Sequence, residues 1–176
     1  PARPQEVGGD AFAATVAEAS PEAGDPEALP GAIVVDERSL QSLPTIGHVA
    51  PLIHEAAEDW PTPVHVVESD DEKFAAFDAA DVALAVTGTV TSELALSRTP
   101  MVAAYRMGWL TAQIVRALIH APFIVLVNLM LDREAVPEIL QHHCTPDALA
   151  AALKPLLTDP RVRAQQLRDL EDAVRG

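Results

Sequence analysis

The sequence predicts an α/β protein built on a doubly wound parallel sheet and ending in C-terminal helices. Three observations predict it. Residues 81–86 and 101–105 are short, nearly unbroken apolar runs, the pattern of strands buried on both faces. Segments of helical spacing separate such runs, as crossovers between parallel strands require. From residue 134 the chain reads as helices, roughly over 134–141, 146–157 and 160–174. Such sheets bind ligands beyond the carboxyl ends of their strands, which directs attention to residues 87–93, to Tyr105 and Arg106, and to Asn128.

Taken in order, Asp10 followed by residues 11–18 reads as a short N-capped helix. Residues 20–31 have the Pro, Gly and acidic composition of a linker. Residues 32–35 form a short buried strand. Ile46, Val49, Ala50, Ile53 and Ala57 follow a helical period that Trp60-Pro61 stops. Residues 63–67 are β-rich, and Asp70 or Asp71 caps a helix carrying Phe74 and Phe77. The strand 81–86 leads through Thr87-Gly88-Thr89 into a helix ending near Ser97. The strand 101–105 precedes a helix from about Trp109 to His120, and residues 123–125 form a last short strand. Three sections result: a Pro- and acid-rich front over 1–43, a core over 44–158, and a C-terminal helix over 159–176.

Charge sharpens that division. The 176 residues carry 12 Lys and Arg against 26 Asp and Glu, a net charge of −14. Residues 1–80 hold 3 basic and 16 acidic groups, whereas 81–176 hold 9 and 10. A nucleic-acid backbone needs clustered Lys and Arg, so nucleic acid is excluded as a partner. An anionic ligand belongs in the near-neutral second half. Cys144 stands alone in the sequence, which excludes a disulfide framework and fits a reducing compartment. No apolar run approaches the roughly 18–20 residues of a membrane span, and no signal peptide is evident. The expectation is a soluble, cytoplasmic domain.

The chemistry centres on the stretch from Thr87 to Glu93. Gly88 lets the backbone approach a ligand closely, Thr89 is placed to cap the helix, and the leading N–H groups suit an anion. Glu93, one turn in, can accept hydrogen bonds from two neighbouring ribose hydroxyls. Plain helix capping fits the same residues. Arg106 ends a strand on the ligand side of the sheet, and an ordinary surface ion pair is its other reading. His142-His143-Cys144 reads as a loop rather than a metal cluster, because adjacent ligands rarely point at one ion. The last helix, with Arg161, Arg163, Arg168, Arg175, Asp169, Glu171 and Asp172, reads as a solvated mixed-charge face.

The segments Thr87–Glu93, Pro100–Arg106, Val127–Leu129 and Arg133–Gln141, followed by Thr145 and Pro146, resemble the C-terminal, nucleotide-binding half of lipid-A-disaccharide synthase. The family patterns are S-G-T-x-x-L-E, P-M-V-x-x-Y-R, N-L-[LI]-x-G-R-E and V-P-E-L-L-Q, then T-P-[ED]-x-L-A-A-A-L. The resemblance covers roughly 44–158. Pro1 to Val7 are similar to the family's P-G-S-R-x-x-E-[VI] loop, with Arg3 as the surviving charge. Departures are Thr87 for Ser, Ser92 for Leu, and Asp132 for Gly, the last adding a negative charge beside the expected nucleotide pocket.

The resemblance implies one Rossmann-like lobe of a two-lobed GT-B glycosyltransferase. It implies transfer of diacylglucosamine from UDP to diacylglucosamine 1-phosphate with inversion, by an enzyme peripheral to the inner membrane, with a homo-oligomer as one arrangement. Neither metal nor other cofactor is expected; the UDP-sugar is substrate. The implied nucleotide-sugar residues are Arg3, Thr87, Gly88, Thr89, Glu93, Tyr105, Arg106, Asn128, Arg133, Glu134 and Glu138. Arg106 and Arg3 would meet the diphosphate, with Thr89 and the Gly88 backbone completing the cradle. Glu93 would hold the ribose, and Asn128 would support the nucleotide end. The general base is expected in the acceptor-binding lobe, which this chain lacks, so binding without turnover is expected. Two alternatives stay open: another UDP-N-acetylglucosamine-dependent glycosyltransferase, such as the one acting on peptidoglycan's lipid-linked precursor, and a catalytically dead remnant or interaction module.

Overall fold

A computed structural model describes residues 32–35, 41–44, 50–58, 64–86, 88–105 and 122–176. In chain order they form β1 (Ala32–Val35), β2 (Gln41–Pro44), α1 (Ala50–Ala57), β3 (Val64–Val67), α2 (Asp70–Ala79), β4 (Val82–Val86) and α3 (Thr89–Leu96). Then come β5 (Met101–Tyr105), α4 (Leu126–Leu131), β6 (Glu138–Leu140), a 3₁₀ turn (Gln141–His143), α5 (Pro146–Thr158) and α6 (Pro160–Arg175). The helices expected over 10–18 and from Trp109 to His120, the linker 20–31 and the Trp60-Pro61 stop lie outside the described residues.

The strands form one sheet in the order β3-β2-β1-β4-β5-β6. β2 and β3, β4 and β5, and β5 and β6 pair in parallel. β1 runs antiparallel to both of its neighbours, β2 and β4. Five of the described strands therefore point one way and share a carboxyl edge. The α/β class and the parallel β4-β5-β6 half are as expected; the reversal of β1 makes the whole sheet mixed. Its cause is chain length. Only residues 36–40 join β1 to β2, too few for a parallel crossover, so β2 returns antiparallel.

Alternation along the strands builds a layer on each face. Ala83, Ala85, Met101 and Ala103 pack with Phe77 of α2, Leu94 and Ala95 of α3, Val127 of α4, and Leu170 and Ala173 of α6. Val82 and Val102 face the other way and pack on Leu153 and Leu156 of α5. Fully buried side chains such as Leu94, Leu153 and Leu170 each contribute about 1.5–3 kcal/mol. Gln166 of α6 is buried among them and acts as a polar staple. Its amide accepts from the Met101 N–H at 2.8 Å and donates to the carbonyls of Met101 and Ala135 at 3.0 and 3.1 Å.

Three local expectations are corrected. The helix expected over 134–141 is strand β6 followed by the 3₁₀ turn. Ala135, Val136, Ile139 and Leu140 imitate a helical period, but Pro137 lacks an N–H and disfavours helical geometry at Val136. Instead the Pro137 carbonyl accepts from the Ala103 N–H at 2.9 Å and starts an edge strand. Residues 123–125 are not a strand, because the Ile124 and Val125 N–H groups donate to the Glu138 carboxylate; α4 follows them. Finally, Ser69 rather than Asp70 or Asp71 caps α2, accepting from the Glu72 N–H at 3.3 Å. The three acids of that first turn still suit the helix dipole.

Candidate functional site

β4 ends at the shared carboxyl edge and turns through Gly88 into α3. Gly88 is the N-cap of α3, with φ 152° and ψ −154°, a combination open essentially to glycine alone. A Cβ there would meet no atom within 4 Å. Conformation, not crowding, therefore demands the glycine. The Thr91 hydroxyl donates to the Gly88 carbonyl at 2.7 Å and holds the turn closed. Thr89, expected as the cap, is instead the first helical residue.

The open end of α3 stands out when the helices are compared. Ser69 caps α2, Thr145 caps α5 and Asp159 caps α6, each through its side chain. α4 has no side-chain cap either, but the Glu138 carboxylate accepts from the N–H of Val125, the residue that precedes it. α3 has no side-chain cap and no acid in its first turn. Its leading N–H groups meet the shared carboxyl edge with the partial positive charge of a helix start intact.

Glu93 lies one turn further along, four residues after Thr89 and on the same side of α3. Its carboxylate faces the ammonium of Lys73 on α2, with Nζ at 3.4 Å from Oε1 and 3.2 Å from Oε2. Lys73 also pairs with Asp70 at 3.0 Å. Its pKa is raised, first by the hydrogen bond it donates to Asp70 and then by Glu93, against the opposing cost of burial. Nothing in the local sequence marks Lys73; it reads there as the partner of an ordinary i,i+3 helix pair.

Two strands away is a polar knot. Asn128 of α4 is fully buried. Its Nδ2 donates to the Val136 carbonyl at 2.7 Å and to Glu138 Oε1 at 2.8 Å. Its Oδ1 accepts from the N–H groups of Ala135 and Val136, both at 2.8 Å. Those four bonds use the amide's whole capacity. Glu138 in turn accepts from the N–H groups of Ile124 and Val125 at 2.9 and 3.0 Å. Glu134 Oε1 accepts from the Glu138 N–H at 3.4 Å.

Arg133 leaves this knot and forks onto Asp169 of α6, at 3.0 and 2.8 Å. Asp169, expected on a solvated face, is buried, and the Arg133 hydrogen bonds hold its carboxyl below the usual aspartate value despite that burial. The signal for it was present: Gln166, Asp169, Leu170 and Ala173 are the buried residues of α6, an i, i+3, i+4, i+7 stripe concealed by its two polar members. Asp132 closes α4 in the left-handed conformation, φ 50° and ψ 34°. That geometry accounts for glycine in the family pattern.

The structure thus brings Asn128, Glu134 and Glu138 together, and separately Gly88, Thr89 and Glu93, with Tyr105 at the end of β5 beside Leu140 of β6. Arg3, Thr87 and Arg106 lie outside the described residues. Beyond β6 an open depression of about 600 Å³ is lined by Glu138, Leu140, His142, His143 and Thr145 among others. The rings of His142 and His143 stack with centroids 3.9 Å apart. No group of three or more metal-ligating side chains occurs among the described residues.

A family model described as lipid-A-disaccharide synthetase matches residues 45–175. A lipid-A-disaccharide synthase of Rhodospirillum centenum is 43% identical over 133 residues, 76% of this chain and 33% of that protein. One from Rhodopseudomonas palustris (strain BisB18) is 47% identical over 125 residues, covering 71% and 32%. One from Gluconobacter oxydans is 40% identical over 132 residues, covering 75% and 32%. The chain spans about a third of the length of these curated relatives.

Proposed function

The chain belongs to the lipid-A-disaccharide synthase family, and we propose that it supplies the UDP-sugar-binding half of a glycosyltransferase of lipid A biosynthesis. The proposed reaction transfers 2,3-diacylglucosamine from UDP to 2,3-diacylglucosamine 1-phosphate and inverts the anomeric carbon. The observation that carries this reading is the family match over 45–175, which includes the uncapped Gly88 turn at the shared carboxyl edge.

The chemistry demands that UDP leave with growing negative charge. In this reading the N-terminus of α3 faces that charge, with the Gly88 backbone allowing close approach and Thr89 beside it. Arg106 and Arg3 complete the diphosphate contacts, with Thr87 at the start of the turn. Glu93 takes the ribose hydroxyls, and Tyr105 bounds the pocket at the end of β5. Asn128, Arg133, Glu134 and Glu138 serve by shaping the wall: their hydrogen bonds to the chain and to one another leave Asn128 no spare capacity for a ligand.

An inverting transfer also needs a base on the acceptor side, opposite the leaving group, as in inverting glycoside hydrolysis. That base is proposed to lie in the part of the family protein that this chain does not span, so the chain alone binds and does not turn over. The sections proposed are 44–158 as the UDP-sugar core, with 1–43 in front and 159–176 as the terminal helix. No helix among the described residues is long and apolar enough to cross a membrane, which suits a peripheral enzyme at the cytoplasmic face of the inner membrane. No metal is assigned a part. Thermal melting with UDP tests the proposal: at a hundredfold excess over Kd, binding should add about 2.7 kcal/mol to stability. An unchanged transition at millimolar UDP would overturn it.

A further inference from the structure

We propose that Lys73 is a positioning residue of the nucleotide site, holding the Glu93 carboxylate in the orientation that receives two neighbouring ribose hydroxyls. The inference rests on the reading that Gly88–Glu93 binds the nucleotide, and it adds a residue from outside every motif that led to that reading. Lys73 belongs to α2 and reaches across to α3, twenty positions along the chain.

The geometry carries the argument. An ammonium has three donors and no acceptor. Lys73 directs one to Asp70 at 3.0 Å and faces both Glu93 oxygens at 3.4 and 3.2 Å. Gripping both oxygens resists rotation of the carboxylate about its last bond. A carboxylate offers about four acceptor positions, so one on each oxygen stays open. Two open positions, one per oxygen, match the two hydroxyls of a cis-diol. The Glu93 side chain keeps 32% of its surface exposed, enough to be approached from outside, while Lys73 keeps 20%. Asp70 and the ring of Phe74, 4.8 Å from Nζ, hold the ammonium from the other side. Lys73, shared with Asp70, also offsets part of the Glu93 charge that would otherwise repel the diphosphate of the same ligand.

Calorimetric titration of the full chain with UDP and with 2′-deoxy-UDP tests this, using the native chain, Glu93→Ala, Lys73→Met and Lys73→Arg, each checked by its melting curve. The native chain should prefer UDP over the deoxy compound by about tenfold, the effect of one lost hydrogen bond to a charged group. Glu93→Ala should abolish the preference. Lys73→Met should weaken UDP binding roughly fivefold to thirtyfold and cut the preference below about threefold, and Lys73→Arg should restore most of both. Should Lys73→Met lack a folding transition, Lys73→Gln takes its place with the same two expected losses. Lys73→Met with native affinity and preference would overturn the proposal. So would weaker binding with the preference intact, the mark of a merely structural role. Those two outcomes leave the nucleotide site standing. A native chain that fails to bind UDP removes the site and Lys73's role together, and Glu93→Ala that keeps the ribose preference removes the ribose role of Glu93 and with it that of Lys73.

Discussion

Two polar regions flank the carboxyl edge of the sheet, and they dispose of their hydrogen bonds in opposite ways. Around Asn128 and Glu138 every polar atom of the amide is turned inward. It satisfies the backbone of residues 135 and 136 and links to the Glu138 carboxylate, which holds the N–H of Val125 just before α4. Around Gly88 the backbone holds a glycine-only conformation and the helix that follows is left without a side-chain cap. Both regions carry motif residues. One spends them on shape, and the other, in the proposed reading, presents them to a ligand. Motif residues such as Asn128 can thus be accounted for by the backbone they hold in place.

Substitution breaks or sharpens that contrast. The largest effect belongs to Asn128→Ala, which strands the Ala135 and Val136 N–H groups and the Val136 carbonyl and takes one hydrogen bond from Glu138. Urea denaturation should show a loss of about 3–4 kcal/mol, whereas a loss under 1 kcal/mol would make the knot dispensable. Gly88→Ala has free space for its methyl group, so its cost is conformational, about 1–3 kcal/mol. Its distinguishing feature is weaker UDP binding at temperatures where the variant remains folded, measured by calorimetry.

Next comes Asp169→Asn. The folded-state pKa of Asp169 is lowered, chiefly by its hydrogen bonds from Arg133. Its contribution is therefore complete above the ordinary aspartate range, near pH 4, and is lost as pH falls through the lowered folded value. The native chain should be the more stable at neutral pH, with the gap to Asp169→Asn closing below about pH 4. Denaturation midpoints at pH 7 and pH 3 read this directly, and a gap independent of pH would contradict it. Smallest is Asp132→Gly. Relieving the left-handed backbone and removing an acid from the C-terminal end of α4 should stabilise by about 0.5–1 kcal/mol, seen as a rise in Tm.

The second half of the molecule was the more legible in sequence, for physical reasons. β4 and β5 are buried on both faces, so each announces itself as an apolar run. α5 starts at Thr145-Pro146 and α6 at Asp159-Pro160, caps that local chemistry alone specifies. β2 was illegible because Gln-Ser-Leu-Pro has no strand pattern of its own; its neighbours make it a strand. β6 reads as helix because its apolar spacing also suits one, and only Pro137 argues otherwise. At the site, Gly88 and Glu93 are candidates from a turn and its spacing, which plain helix capping fits equally, and the resemblance favours the nucleotide reading. Lys73 could not be named from sequence, since its partnership with Glu93 depends on two helices meeting. Nor could the inward turn of Asn128, which depends on residues 135–138 folding back over α4.

In the proposed site the open turn, and not the closed knot, meets the nucleotide. Titrating the ¹⁵N-labelled chain with UDP and following backbone amide shifts tests it most directly. Saturable shifts should be largest at Gly88 through Val90 and at Glu93, with the amides of Ala135 and Val136 moving little. Shifts centred on residues 124–138 with Gly88 unmoved, or no saturable shift at all, would contradict it.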